Sequence, residues 1–105
     1  MPPLDIFRVR VKYNLCEDLR PCLILNITKV TTVEVLLLSS QADLFNEQTD
    51  YWLDPSHKDF KATGLAKRSY IRAVRSIEIS TQNLQKRIGR LEGLLAEEFK
   101  DWYGI

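Results

Sequence analysis

Cys22-Leu23-Ile24-Leu25-Asn26-Ile27, then Thr28-Lys29, then Val30-Thr31-Thr32-Val33-Glu34-Val35-Leu36-Leu37-Leu38 is the stretch that decides the fold class. Each apolar run is too short for a buried helix and rich in Ile, Leu, Val and Thr, which predicts two strands. The polar pair Thr28-Lys29 predicts the turn that folds them into an antiparallel hairpin. Pro21 has no N–H to donate to a ladder, so it is expected at the beginning of the second strand. The third strand is expected to end at Ser39-Ser40.

Upstream, Asp5-Ile6-Phe7-Arg8-Val9-Arg10-Val11-Lys12-Tyr13 alternates apolar and polar from Phe7 onward, the pattern of a half-buried strand. Residues 14–19 read as a short polar connection. Downstream, Asp43, Asn46, Asp50, Asp54, Pro55 and Ser56 punctuate residues 41–64. This predicts a long irregular excursion with one short helix near residues 41–46, a kind of loop that usually serves function. Ser69-Tyr70-Ile71-Arg72-Ala73-Val74-Arg75-Ser76-Ile77 predicts one strand with an irregularity such as a bulge, Arg72 and Arg75 facing opposite ways. Residues 80–84 offer caps for a single helical turn, residues 87–91 a short extended piece, and Glu92 opens a last helix. On that helix Leu91, Leu94, Leu95, Phe99 and Trp102 form the expected core stripe. The aromatic end Trp102-Tyr103 is expected to dock on the sheet or on another subunit. The whole reads as α+β: a small curled antiparallel sheet or open barrel with short helices and a C-terminal helix.

The chain has 105 residues, 45% hydrophobic and 28% charged, enough for one domain over residues 1–105 and not for two. Such a chain can form a core without disulfides or a metal. No apolar run approaches the roughly 20 residues that cross a bilayer, and Met1-Pro2-Pro3-Leu4-Asp5 is unlike a signal peptide. A cytoplasmic protein with no membrane role is the expectation. Net charge is +1, but residues 58–90 carry nine Lys and Arg against Asp59 and Glu78, while each flank is acidic. A local positive field suits a polyanion such as nucleic acid, or an acidic protein segment; the plainer alternative is a solvated face paired with the acidic ends.

Two cysteines, Cys16 and Cys22, and a lone histidine, His57, do not make a zinc ligand set. Cys22 reads as a small core residue and Cys16 as a loop thiol, neither activated as a nucleophile. The four glycines do not cluster into a phosphate loop.

The order of four segments resembles the MazF/PemK toxins of bacterial toxin–antitoxin pairs. Asp5-Ile6-Phe7, a loop and Arg20-Pro21-Cys22-Leu23-Ile24-Leu25 look like that family's first strand, variable loop and Arg-Pro-apolar second strand. Val33-Glu34-Val35-Leu36-Leu37-Leu38-Ser39-Ser40 is similar to its third strand, which ends in a hydroxyl residue. Thr63-Gly64-Leu65 through Ser69-Tyr70-Ile71 and Val74-Arg75-Ser76-Ile77 resembles its middle region, and Leu84-Gln85-Lys86-Arg87-Ile88-Gly89-Arg90-Leu91 its ending before a final helix. The resemblance spans nearly the whole chain, through order and spacing rather than any single motif.

Membership would imply an SH3-like barrel, a homodimer, a sequence-specific endoribonuclease that cuts single-stranded RNA without metal or cofactor, and an acidic antitoxin that fills the RNA groove. Such cleavage needs a base for the 2′-OH, a cation for the charge developing at phosphorus, and an acid for the leaving 5′-oxygen. Arg20 is the candidate cation, since guanidinium grips two phosphate oxygens. Ser39 carries over as a phosphate or sugar hydrogen-bond partner. Where many members have an acidic residue, this sequence has Arg72, which leaves Glu17, Asp18 and His57 as candidate proton carriers. Ser40, Lys67, Arg68, Arg72 and Arg75 are candidate RNA contacts. Tyr51, Trp52 and Tyr70 are weighed as base-stacking aromatics against the commoner core role. A catalytically inactive module on the same scaffold, binding RNA or an acidic protein, is the alternative reading.

Overall fold

A computed structural model describes residues 3–13 and 16–105, without the side chains of residues 12, 13, 16 and 17. Seven antiparallel strands and one C-terminal helix form a small α+β domain: β1 Asp5–Tyr13, β2 Cys16–Lys29, β3 Thr32–Ser39, β4 Asp50–Leu53, β5 Ser69–Arg72, β6 Ile77–Ser80, β7 Leu84–Arg90 and α1 Gly93–Tyr103. The strands run in the order β4-β5-β3-β2-β1-β7, with β6 also on β3, and β4 does not pair with β7. Among the described residues no helix is long and apolar enough to cross a membrane.

The apolar runs of the central hairpin are continuous because both faces of the sheet are covered. Cys22, Ile24, Val33 and Val35 are fully buried in one cluster with Val9, whereas Leu23, Leu36 and Leu38 are buried on the other side with Ile6, Leu53, Ile71, Leu91 and Phe99. Neighbours along a strand point to opposite faces, so a strand buried on both sides loses its polar positions. Each of these side chains contributes roughly 1.5–3 kcal/mol by leaving water.

Six expectations are corrected. The connection expected over residues 14–19 is largely strand: β2 starts at Cys16 and pairs with β1 as far as Tyr13↔Cys16. Pro21 therefore lies inside a strand, opposite Arg8, but the β2–β3 ladder begins one residue later at Cys22↔Leu37. Pro21 has a strand on one side only, the edge-like setting that tolerates a missing donor. The hairpin turn falls at Val30-Thr31 rather than Thr28-Lys29, with Lys29 paired to Thr32 and Val30 96% exposed at the tip. An apolar residue can occupy a two-residue turn, and periodicity gave no sign of it.

The excursion contains a strand, β4, as well as two single 3₁₀ turns, Ala42–Leu44 and Lys61–Thr63. Residues 69–77 form two strands, not one: β5 pairs with Leu38 and Ser39 at the end of β3, and β6 with Thr32 to Val35 at its beginning. The register jumps between Ile71 and Ile77, which enlarges the expected irregularity into a break. The helical stripe is only partly core. Leu91, Leu95, Ala96 and Phe99 are buried, while Leu94 and Trp102 remain 50% and 41% exposed.

The single turn Thr81–Asn83 forms as expected, Ser80 Oγ accepting from the Gln82 N–H at 3.2 Å. The excursion is held to α1 from outside the helix: Asp59 Oδ2 accepts from the Leu95 N–H at 3.3 Å, satisfying a first-turn donor that Glu92 does not cap. The aromatic end docks on the chain itself, Tyr103 stacking on Phe99 with centroids 5.5 Å apart and Trp102 lying 5.0 Å from Tyr51.

Candidate functional site

A groove of about 360 Å³ opens where β3 leaves β2 for β5. Its first wall is Arg8 of β1 with Asp18, Arg20 and Pro21 of β2. Its second is the end of β3 and the residues after it, Leu38, Ser39, Ser40 and Gln41. Gly64 to Lys67, Ser69 and Ile88 make the third.

Local structure explains how each side chain arrives. Arg20 is two residues from Asp18 on one strand, and strand alternation puts both on the same side, Nε to Oδ2 3.6 Å. Ser39 is the last residue of β3 and is almost fully buried, its Oγ accepting from the Gln41 N–H at 3.2 Å. That bond leaves the hydroxyl proton available to a ligand. Tyr70, buried behind it, donates its hydroxyl to the Gln41 carbonyl at 3.0 Å and fixes the same turn.

The third wall depends on two glycines. Gly64 ends the turn Lys61–Thr63 in the left-handed region at φ +73°, and a β-carbon there would strike the Ile88 carbonyl. A β-carbon on Gly89 would strike Ala62 and Thr63 in return. Turn and strand can approach this closely only because neither has a side chain at the contact. Buried Thr63 donates to the Phe60 carbonyl at 2.6 Å and accepts from the Leu65 N–H at 3.2 Å, directing residues 64–67 over the groove.

Among the described residues that line the groove, three cations, Arg8, Arg20 and Lys67, face one carboxylate, Asp18, with hydroxyl and amide groups from Ser39, Ser40 and Gln41. This composition suits an anion carried on a polar scaffold, such as a phosphodiester. Arg8 and Gln41 were not singled out in the sequence. Arg8 occupies an ordinary polar position of an alternating strand, and only the pairing Arg8↔Pro21 brings it to the groove.

Of the candidate residues, the fold gathers Arg20, Asp18, Ser39, Ser40 and Lys67 at the groove and leaves His57, Arg68, Arg72 and Arg75 elsewhere. The Glu17 side chain lies outside the described residues. His57 is bound to the excursion and to α1: its Nδ1 accepts from the Asp59 N–H at 3.0 Å, which places the proton on Nε2, 2.7 Å from Glu98 Oε1. Arg68 is over the Trp52 ring at 3.6 Å and its Nε is 3.1 Å from Asp54 Oδ2. Arg72, at the outer end of β5 opposite Asp50, and Arg75, between β5 and β6, are exposed and do not line the groove. Tyr51, Trp52 and Tyr70 pack among aromatics, Tyr51 on Phe99, and Trp52 and Tyr70 around Phe45. Burial, with Glu98 nearby, pushes the Tyr51 phenol up.

Cys22 is in the core, and burial pushes its thiol up to about 12, so it stays protonated and unreactive. Among the described residues no group of three His, Cys, Asp or Glu side chains comes together as a metal site requires. Comparison with models of known protein families and with curated proteins gives no match to this chain.

Proposed function

We propose that this chain is a sequence-specific endoribonuclease of the MazF/PemK toxin kind, cutting single-stranded RNA in the Arg20–Ser39 groove without a metal. The observation that carries the reading is the convergence of Arg20 and Asp18 of β2 with Ser39, from the end of β3, on one predominantly basic groove. The bent sheet is then an SH3-like barrel, open between β4 and β7. The toxin acts in the cytoplasm as a homodimer and is silenced by an acidic antitoxin whose carboxylates take the place of RNA phosphates.

In this mechanism Asp18 takes the proton from the ribose 2′-OH, and the 2′-oxygen attacks the adjacent phosphorus. Arg20 holds the non-bridging oxygens as their charge rises, with the Ser39 hydroxyl donating to the same phosphate. The P–O5′ bond breaks, leaving a 2′,3′-cyclic phosphate on one fragment. The departing 5′-oxygen becomes a hydroxyl with a proton from Lys67, the ammonium in the groove. His57 serves as a strut between excursion and helix.

The test is incubation of a long single-stranded RNA with purified protein in EDTA, beside an identically prepared Arg20→Ala protein, with the ends mapped by sequencing. Cuts at a short recurring motif that disappear in the variant support the reading. Intact RNA from folded wild-type protein overturns it in favour of a module that binds RNA or an acidic protein without chemistry.

A further inference from the structure

Next to Lys67, which faces the groove, Arg68 completes a layered stack. Phe45 and Trp52 lie nearly parallel, centroids 4.5 Å apart and planes 23° apart. The Arg68 guanidinium carbon lies 3.6 Å from the Trp52 ring centroid, and Arg68 Nε is 3.1 Å from Asp54 Oδ2. Asp54 is itself held by the Ser56 N–H at 3.0 Å. Hydrogen bonds from Ser56 first, then the Arg68 charge, hold its carboxyl below the usual range, so it remains an anionic anchor. A separation of 3.6 Å is van der Waals contact, so the guanidinium rests against the indole with its charge partly met. Its side chain is still 50% exposed with the indole on one side, which leaves surface away from Trp52 for a ligand.

We propose that Arg68 is a nucleobase platform: a base of the bound RNA stacks on the outer face of the guanidinium, extending the Phe45–Trp52–Arg68 stack by one layer. This rests on the RNA reading above and changes the role of Arg68 from a phosphate contact to a base contact. Guanidinium planes stack well on unpaired bases. A phosphate is gripped best by an Arg free to swing both N–H groups of one edge toward it, whereas Asp54 holds the Arg68 Nε and the indole holds the guanidinium in place. The basic groove beside Lys67 favours a nucleotide over an aromatic side chain of a protein, because a base arrives with its own phosphate.

The experiment measures binding of two labelled ten-nucleotide oligomers by fluorescence anisotropy in EDTA. One is a random-sequence 2′-O-methyl RNA, which cannot be cut; the other is an abasic oligomer with the same number of phosphates. Wild-type protein is expected to prefer the base-bearing oligomer about fivefold or more. Arg68→Lys keeps the charge and removes the plane, so it should lose most of that preference while binding the abasic oligomer within about twofold of wild type. Arg68→Gln, planar but neutral, should retain part of it. Circular dichroism and thermal melting verify that both variants fold, as expected for a half-exposed position. An unchanged preference in Arg68→Lys overturns the platform and leaves the RNA groove standing. No binding of either oligomer by wild type overturns the RNA reading and the platform together.

Discussion

Arg20 Nε is 3.6 Å from Asp18 Oδ2 on β2, and both side chains line the groove that Ser39 reaches from the end of β3. A cation and a carboxylate this close can divide the work, one meeting charge at phosphorus while the other moves the proton. Replacing Arg20 by Ala is expected to lower the RNA cleavage rate about 100-fold or more, the usual cost of losing a preorganised charge stabiliser. Arg20→Lys should recover little, because an ammonium is a point charge without the two-pronged fork. Asp18→Asn should lower kcat by about 100-fold or more while changing KM little, because a base acts in the chemical step. Single-turnover cleavage beside RNA binding separates these effects.

The Gly64 and Gly89 contact makes a stability prediction independent of the chemistry. Gly64→Ala places a β-carbon against the Ile88 carbonyl at a backbone angle of φ +73°. The left-handed conformation alone costs roughly 1–2 kcal/mol, and the overlap adds to it. The melting temperature should fall by about 4–8 °C for each kcal/mol lost. Because the turn sets residues 64–67 over the groove, RNA binding should weaken at temperatures where the variant is still folded. Thermal melts paired with anisotropy check both outcomes.

Cys22 predicts an alkaline limb of stability. Its thiol is raised from 9.0 to about 12 by burial, so between these values the unfolded chain releases a proton that the folded chain keeps. Stability from this group is therefore complete below pH 9 and declines by about 1.4 kcal/mol per pH unit from there toward 12. Urea unfolding at successive pH values should show a decline in wild type that is shallower in Cys22→Ala. In a Cys16→Ser background, Cys22 should also resist iodoacetamide at pH 8 until urea unfolds the protein.

His57 is joined to Glu98 at 2.7 Å and accepts the Asp59 N–H at 3.0 Å, and Asp59 in turn caps α1. His57→Ala is expected to lower stability by roughly 1 kcal/mol or somewhat more, measured by urea unfolding. Its RNA cleavage rate at 20 °C should stay within about threefold of wild type. A loss of 100-fold would instead make His57 the proton carrier.

The amino-acid sequence by itself determined the fold class, the central hairpin, the single turn at Thr81–Asn83 and the C-terminal helix. These rest on periodicity and capping, which act between residues close along the chain. It also marked Arg20, Asp18, Ser39, Ser40 and Lys67, although nothing local distinguished them from Arg72 or Arg75. Strand β4 was hidden because Asp50 to Leu53 has only four residues, and its partner is distant β5. Likewise, no local pattern showed that β3 exchanges β2 for β5 at Leu38.

Only the tertiary structure decided which charges meet. That exchange opens the groove, the glycine contact closes it from above, and the pairing of β1 with β2 brings Arg8 to its wall. The same packing turned His57 toward α1 and laid Arg68 on Trp52. Proximity across a curled sheet depends on register and bend, and these emerge from how both faces bury their side chains together.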